Sequence, residues 1–152
     1  MRQHERAIMR FILRTTRDRE DALDLFQETW LRAYRAYPKL NGADGLRPWL
    51  YRIASNLCLN RLRDHLRRAR VFVDNDGADP SSYHAANSSP DGVLQLKHAI
   101  GRLPHKQREA LVLRKIAGLE YDEIGASLGC SEEAARANVY QAIKKMKAAD
   151  CR

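Results

Sequence analysis

No apolar run in the chain approaches the roughly 20 residues needed to cross a bilayer, and membrane insertion is not expected. The N-terminal stretch MRQHERAIMRFILRTTRDRE scatters charges among its apolar residues, so it lacks the uninterrupted core of a signal peptide. The cytoplasm is the expected compartment. Cysteine is scarce: Cys58, Cys130 and Cys151 are widely spaced and none stands in a C-x-x-C pair. That argues against a disulfide framework and against a zinc knuckle. The five histidines show no ligand spacing either. The phosphate loop G-x-x-x-x-G-K, the nucleophile elbow G-x-S-x-G and the metal-binding H-E-x-x-H are all missing. No enzymatic role, metal or cofactor is therefore expected.

What the chain has in quantity is charge, with 27 Lys+Arg against 19 Asp+Glu in 152 residues and a net of +8. The charge falls in three blocks. Residues 1–70 hold sixteen basic and eight acidic side chains, and residues 93–152 hold eleven and seven. Between them, VFVDNDGADPSSYHAANSSPDG (71–92) has four Asp and no Lys or Arg. This middle block is rich in Ser, Asn, Gly and Pro and loses apolar periodicity after its first three residues, which is the composition of a linker. As a flexible coil it would span about 25 Å. The expected organisation is two small domains, 1–70 and 93–152, on an acidic tether. Two basic domains fit either a polyanion partner or a solubility device, and charge alone does not separate these.

Apolar residues recur at helical spacing throughout, which predicts an all-α fold. Ala7, Ile8, Phe11, Ile12 and Thr15 form one stripe, and Leu23, Phe26, Trp30, Ala33, Tyr34 and Tyr37 a second. Asp18 is the expected N-cap of the second helix, with Asp21 in the capping-box position. Acids in its first turn and Arg32 and Arg35 in its last suit the helix dipole. Asp24, Gln27, Glu28 and Leu31 lie beyond that first turn and away from the expected stripe. An acidic patch with an apolar centre suits a docking surface; the alternative is a solvated face. A third helix is expected to have Pro48 at its first position and Leu50, Ile53, Ala54, Leu57, Leu62 and Leu66 as its buried stripe. Its other face carries Trp49, Arg52, Asn56, Asn60, Arg63 and Arg67. Such groups stack on unpaired bases, bond base edges and hold phosphates, although Trp49 could equally cover the core.

The run DREDALDLFQETWLRAYRAYPKL, followed by LRPWLYRIASNLCLNRLRD, resembles region 2 of the extracytoplasmic-function group of bacterial RNA polymerase sigma factors. The composite D-x-x-D-L-x-Q-E-x-[FW]-L-R-A-[WY] with [FL]-R-x-W-L-Y-R-I-A-x-N is long enough to make chance agreement implausible. The resemblance implies that Asp24, Leu25, Gln27, Glu28 and Leu31 meet the β′ subunit of core polymerase. It implies that Trp49, Arg52, Asn56 and Arg63 line the path of the strand displaced at the −10 element. The loop Lys39 to Leu46 would shape the pocket for a flipped base.

The second domain predicts four helices. Val93, Leu96, Ala99, Ile100 and Leu103 make the first stripe, which Pro104 breaks. Ala110, Leu111, Leu113 and Ile116 follow before Gly118. YDEIGASLGCSEEAARANVYQAIKKMK then has the layout of a helix-turn-helix. Gly125 suits a close crossing, Gly129 a left-handed turn residue, and Ser131 an N-cap. Ala135, Val139, Ile143 and Met146 face inward. This part resembles region 4 of the same sigma group, whose helix-turn-helix reads the −35 element. The resemblance implies DNA contacts from Ser131, Arg136, Asn138, Gln141 and Lys144. Glu133 stands where the group usually has Gly, Ala135 where it has Val, and Asn138 where it has Arg. Asn pairs with adenine where Arg prefers guanine, so a less G-rich upstream element is expected.

The resemblance spans residues 5–148 and implies a promoter-specificity subunit. Its partners would be core RNA polymerase (β′ and β subunits), promoter DNA and an anti-sigma protein, and the free chain would be monomeric. A sigma mimic that sequesters an anti-sigma protein is the alternative reading. The four linker Asp residues could imitate nucleic acid or belong to an inert tether. In the free chain the two domains are expected to occlude one another, or to be held by an anti-sigma protein, until polymerase separates them.

Overall fold

The computed structural model describes residues 2–40, 45–76 and 90–150. Cys151, part of the expected base pocket (41–44) and most of the tether (77–89) lie outside them. Among the described residues all regular structure is helical. The α-helices are α1 (Glu5–Thr16), α2 (Arg19–Ala36), α3 (Leu46–Asp76), α4 (Pro90–Arg102), α5 (His105–Lys115), α6 (Tyr121–Leu128) and α7 (Glu132–Asp150). Short 3-10 turns cover Arg2–His4 and Tyr37–Lys39.

The first three helices pack together around Ile8, Phe11, Ile12, Leu25, Leu50, Ala54 and Leu57. Phe11 meets Tyr51 edge to face at 5.3 Å, a favourable quadrupole arrangement between α1 and α3. Between α1 and α2 the chain reverses through Arg17, whose φ of 58° lies in the left-handed region and whose N–H donates to the Leu13 carbonyl at 2.9 Å. A β-carbon makes that conformation costly. Arg17→Gly is therefore expected to stabilise the chain by about 1 kcal/mol, read as a raised midpoint in urea. Asp18 caps α2, accepting from the Asp21 N–H at 2.8 Å. The reciprocal half of the box is replaced: the Asp21 carboxylate turns to α3, pairing with Arg61 and with His65 Nε2 at 3.1 Å.

The expected stripe of α2 holds only in part: Ala33 is buried and Phe26 and Trp30 pack against the core, but the buried face is centred elsewhere. Ala22, Leu25, Thr29 and Ala33 are buried, whereas Leu23 and Tyr37 are exposed and Tyr34 is 78% exposed. Small residues let α1 and α3 approach α2 closely, and the Thr29 hydroxyl is satisfied by the Leu25 carbonyl at 2.6 Å. Hydrophobicity by residue type picked the larger neighbours instead. The tether also differs at both ends. No glycine or proline interrupts α3 before Gly77, so it continues through Asp76, and α4 already begins at Pro90. Cys58 is buried in the α3 stripe, and burial pushes its thiol up to about 12. A buried thiol of this kind packs and does not react.

The last four helices surround Leu103, Ala110, Leu113, Leu119, Ile124, Ala135, Val139 and Ala142. Leu96, expected inside, is exposed on α4. Gly129 closes α6 with φ of 64°. Ser131 caps α7, accepting from the Ala134 N–H at 3.2 Å. Glu120 and Glu123 form a reciprocal capping box at the head of α6, so both acids serve the helix start.

Candidate nucleic-acid interface

On α2, Asp24, Gln27 and Leu31 are exposed and Glu28 is half-buried, its carboxylate accepting from Arg32 Nε at 2.6 Å. Leu25 departs from expectation. It is 4% exposed and belongs to the core, so only a group entering the groove above it could reach it. It floors a groove of about 400 Å³ between α2 and α3, edged by Asp24, Glu28, Asn60 and Asp64. A position one step from Asp24 points a quarter-turn away on a helix, which is why the motif run mixes surface and core residues.

On α3, Trp49, Arg52, Asn56 and Arg63 fall at helical spacing along one face. Arg52 and Arg63 are exposed, and Arg63 donates to Asn60 Oδ1 at 3.1 Å. Trp49 is half-buried against the core, so both readings of it hold in part. Asn56 is half-buried, and its Oδ1 makes no hydrogen bond among the described residues. The second helical unit packs beside part of this face, since α4, α5 and α6 all contact α3. Arg47 Nη1 pairs with Glu123 Oε1 at 2.7 Å, while the other Glu123 oxygen completes the α6 cap. Ser127 Oγ donates to the Pro48 carbonyl at 3.3 Å.

Sequence reasoning did not anticipate Glu109, which is 5% exposed at this seam. Burial pushes its carboxyl above the usual range, and His105, Arg52, Arg108 and a hydrogen bond from Asn56 pull it back. His105 Nδ1 stands 3.2 Å away on the preceding turn of α5. An acid heading the apolar run EALVL was the available signal, because burial of an acid requires partners from elsewhere.

On α7, Ser131, Arg136, Gln141 and Lys144 are exposed and Asn138 is half-buried at the edge. Ser131 is occupied as a cap. Arg136 is tethered, pairing with Glu132 at 2.6 Å and lying 4.9 Å over the Tyr121 ring, which Arg114 faces at 4.7 Å. The Glu133 carboxyl is held below its usual range by hydrogen bonds from its own N–H and the Ser131 hydroxyl. Tyr140, not singled out from sequence, is 63% exposed beside Glu133, Arg136 and Ala137. Its place three residues after Ala137 and four before Lys144 on one stripe was legible. A phenol there offers an apolar face and a donor to a groove.

Residues 1–68 match sigma-70 region 2, and residues 94–146 match sigma-70 region 4. The chain is 32% identical to the RNA polymerase sigma factor CarQ of Myxococcus xanthus, covering 95% of this chain and 83% of CarQ. It is 30% identical to the ECF RNA polymerase sigma factor SigM of Bacillus subtilis, covering 93% and 86%. Against SigE of Mycolicibacterium smegmatis the identity is 30% over 97% of this chain, which spans 58% of that protein's length. Among solved structures, the sigma factor RpoE of Bartonella quintana, in complex with the anti-sigma factor NepR, aligns with a TM-score of 0.58 at 25% identity. That alignment covers 95% of this chain and 90% of RpoE. CnrH, in complex with the cytosolic domain of CnrY, shares the fold with a TM-score of 0.60 at 24% identity, over 96% and 81%. The paired region 2 and region 4 matches, in order along one chain, and the similarity to CarQ and SigM place this protein in the extracytoplasmic-function group of bacterial RNA polymerase sigma factors.

Proposed function

We propose that this chain directs promoter-specific initiation by docking on core RNA polymerase through α2 and reading promoter DNA with α3 and α7. Residues 1–70 would form the polymerase-binding and −10 unit, and residues 93–152 the −35 unit. The observation that carries the reading is the separation of chemistries. Asp24, Gln27, Glu28 and Leu31 make an acidic and apolar face on α2, while Trp49, Arg52, Asn56 and Arg63 share a basic, aromatic and amide face on α3. Acids repel DNA and attract a basic protein surface, whereas guanidinium, indole and amide groups suit a strand whose bases are unstacked. Asp24, Gln27, Glu28 and Leu31 would meet the β′ subunit, with Leu25 holding the helix beneath them. Ser131 positions α7 at the duplex, and Arg136, Asn138, Gln141 and Lys144 read or hold it, joined by Tyr140. RpoE and CnrH were each solved with an anti-sigma partner, and a partner of that class is proposed for this chain. The chain supplies choice of start site, and the chemistry belongs to the polymerase.

Mixing the purified chain with core polymerase tests this. Co-elution on gel filtration together with initiation from a defined start is the expected result. Co-elution without initiation would favour the mimic, and no co-elution would contradict the proposal.

A further inference from the structure

Glu133 on α7 has no part in the proposed function, yet it stands on the face that the function gives to DNA. It follows the Ser131 cap by two residues, at the end of the helix that a helix-turn-helix presents to base edges. Its neighbour Glu132 is already engaged, pairing with Arg136 at 2.6 Å. Glu133 is exposed and forms no ion pair among the described residues. The helix start does not need it, because Ser131 supplies the cap and Glu132 an acid for the dipole. With Arg136, Ala137 and Tyr140 it lines a shallow depression of about 340 Å³ on the exposed side of α7. The exposed cations Lys144, Lys145 and Lys147 lie further along the helix, the first of them about 16 Å away in rise.

A carboxylate carried into a groove repels DNA unless a base offers it a donor. We propose that Glu133 is a specificity-determining residue that reads a cytosine in the upstream element, accepting from its N4 amino group in the major groove. The inference deepens the proposed function and rests on it, since it assigns one base pair to one residue of the −35 face. Guanine and thymine turn acceptors toward the major groove and would be rejected by the acid. Adenine offers an amino group, but its N7 acceptor stands beside that group. Cytosine sets its amino group next to an apolar C5–H edge, and the depression matches both features. The acid lies at one end, and the Ala137 methyl and the Tyr140 ring make an apolar wall at the other. Asn138, half-buried at the edge of the helix, is left to a different base pair, so the two preferences do not compete.

Transcription by reconstituted holoenzyme from a library randomised only in the upstream element tests the assignment. The wild type is expected to enrich cytosine about tenfold at one base pair. Glu133→Gln should move the preference at that same pair to adenine, whose N6 and N7 a glutamine bonds together. Glu133→Ala should flatten the preference there and leave the rest of the element unchanged. A switch from one base to another cannot come from a weakened helix. An upstream motif that neither variant alters would overturn the Glu133 reading and leave the proposed function standing. So would an even loss of transcription with every base preference kept. A wild type that selects no upstream element would overturn the function itself, and the Glu133 reading with it.

Discussion

An Asp24→Ala/Gln27→Ala double variant is expected to bind core RNA polymerase about 100-fold more weakly than the wild type and to lose initiation in proportion. Both side chains are exposed on α2, and Asp24 forms no ion pair among the described residues, so its charge is free to meet a partner. Glu28, by contrast, is already engaged by Arg32, and its replacement should cost less. Interface contacts that matter cost more than about 1 kcal/mol each on truncation; about 1.4 kcal/mol from each of the two makes about 2.8 kcal/mol, roughly a hundredfold. Because neither residue packs in the core, helix content and thermal midpoint should be unchanged. Fluorescence titration at two salt concentrations checks the assignment. The wild type should weaken as salt rises and the variant much less, since the screened contact is already gone. Undiminished affinity would move the docking surface elsewhere.

The second large effect is expected from a single methyl group in the helix-turn-helix. A Cβ at Gly125 would lie 2.8 Å from the Cys130 carbonyl oxygen, 3.2 Å from the Ser131 carbonyl carbon and 3.3 Å from the Glu132 nitrogen. All three are backbone atoms, so no side chain can rotate away. The same turn delivers Ser131 to the head of α7, and displacing it disturbs the cap and the angle between α6 and α7. Overpacking of this kind costs about 1–3 kcal/mol, a large share of the stability of a unit this small. Gly125→Ala should lower the thermal midpoint by about 10 °C and weaken binding to an upstream-element duplex, while polymerase docking through α2 persists. A wild-type midpoint would show that the turn shifts without cost.

The helices, their caps and the two-unit order were legible because each depends on local chemistry. Asp18, Ser131 and Gly129 act through atoms within three or four residues, and apolar spacing marks where helices run. The phase of α2 was not legible. Ala22 and Thr29 are buried because α1 and α3 come close there, a tertiary fact that residue type does not carry. Leu25 was placed on the docking face with its motif neighbours for the same reason. The extension of α3 through Asp76 was hidden by acidic composition, although no residue before Gly77 breaks a helix. Glu109 was hidden by its burial against residues more than fifty positions earlier in the chain, and Arg47 by its pairing with Glu123 across a similar gap.

The central claim is a division of labour, with α3 reading the downstream element and α7 the upstream one. Transcript starts mapped on a randomised promoter library, using core polymerase with each of three chains, test it most directly. The wild type should select two separated motifs, the upstream one poor in guanine opposite Asn138. Arg52→Ala/Asn56→Ala should erase selection at the downstream motif alone, and Gln141→Ala/Lys144→Ala should weaken it at the upstream motif alone. Selection unchanged by either variant, or erased at both motifs by each, would contradict the account.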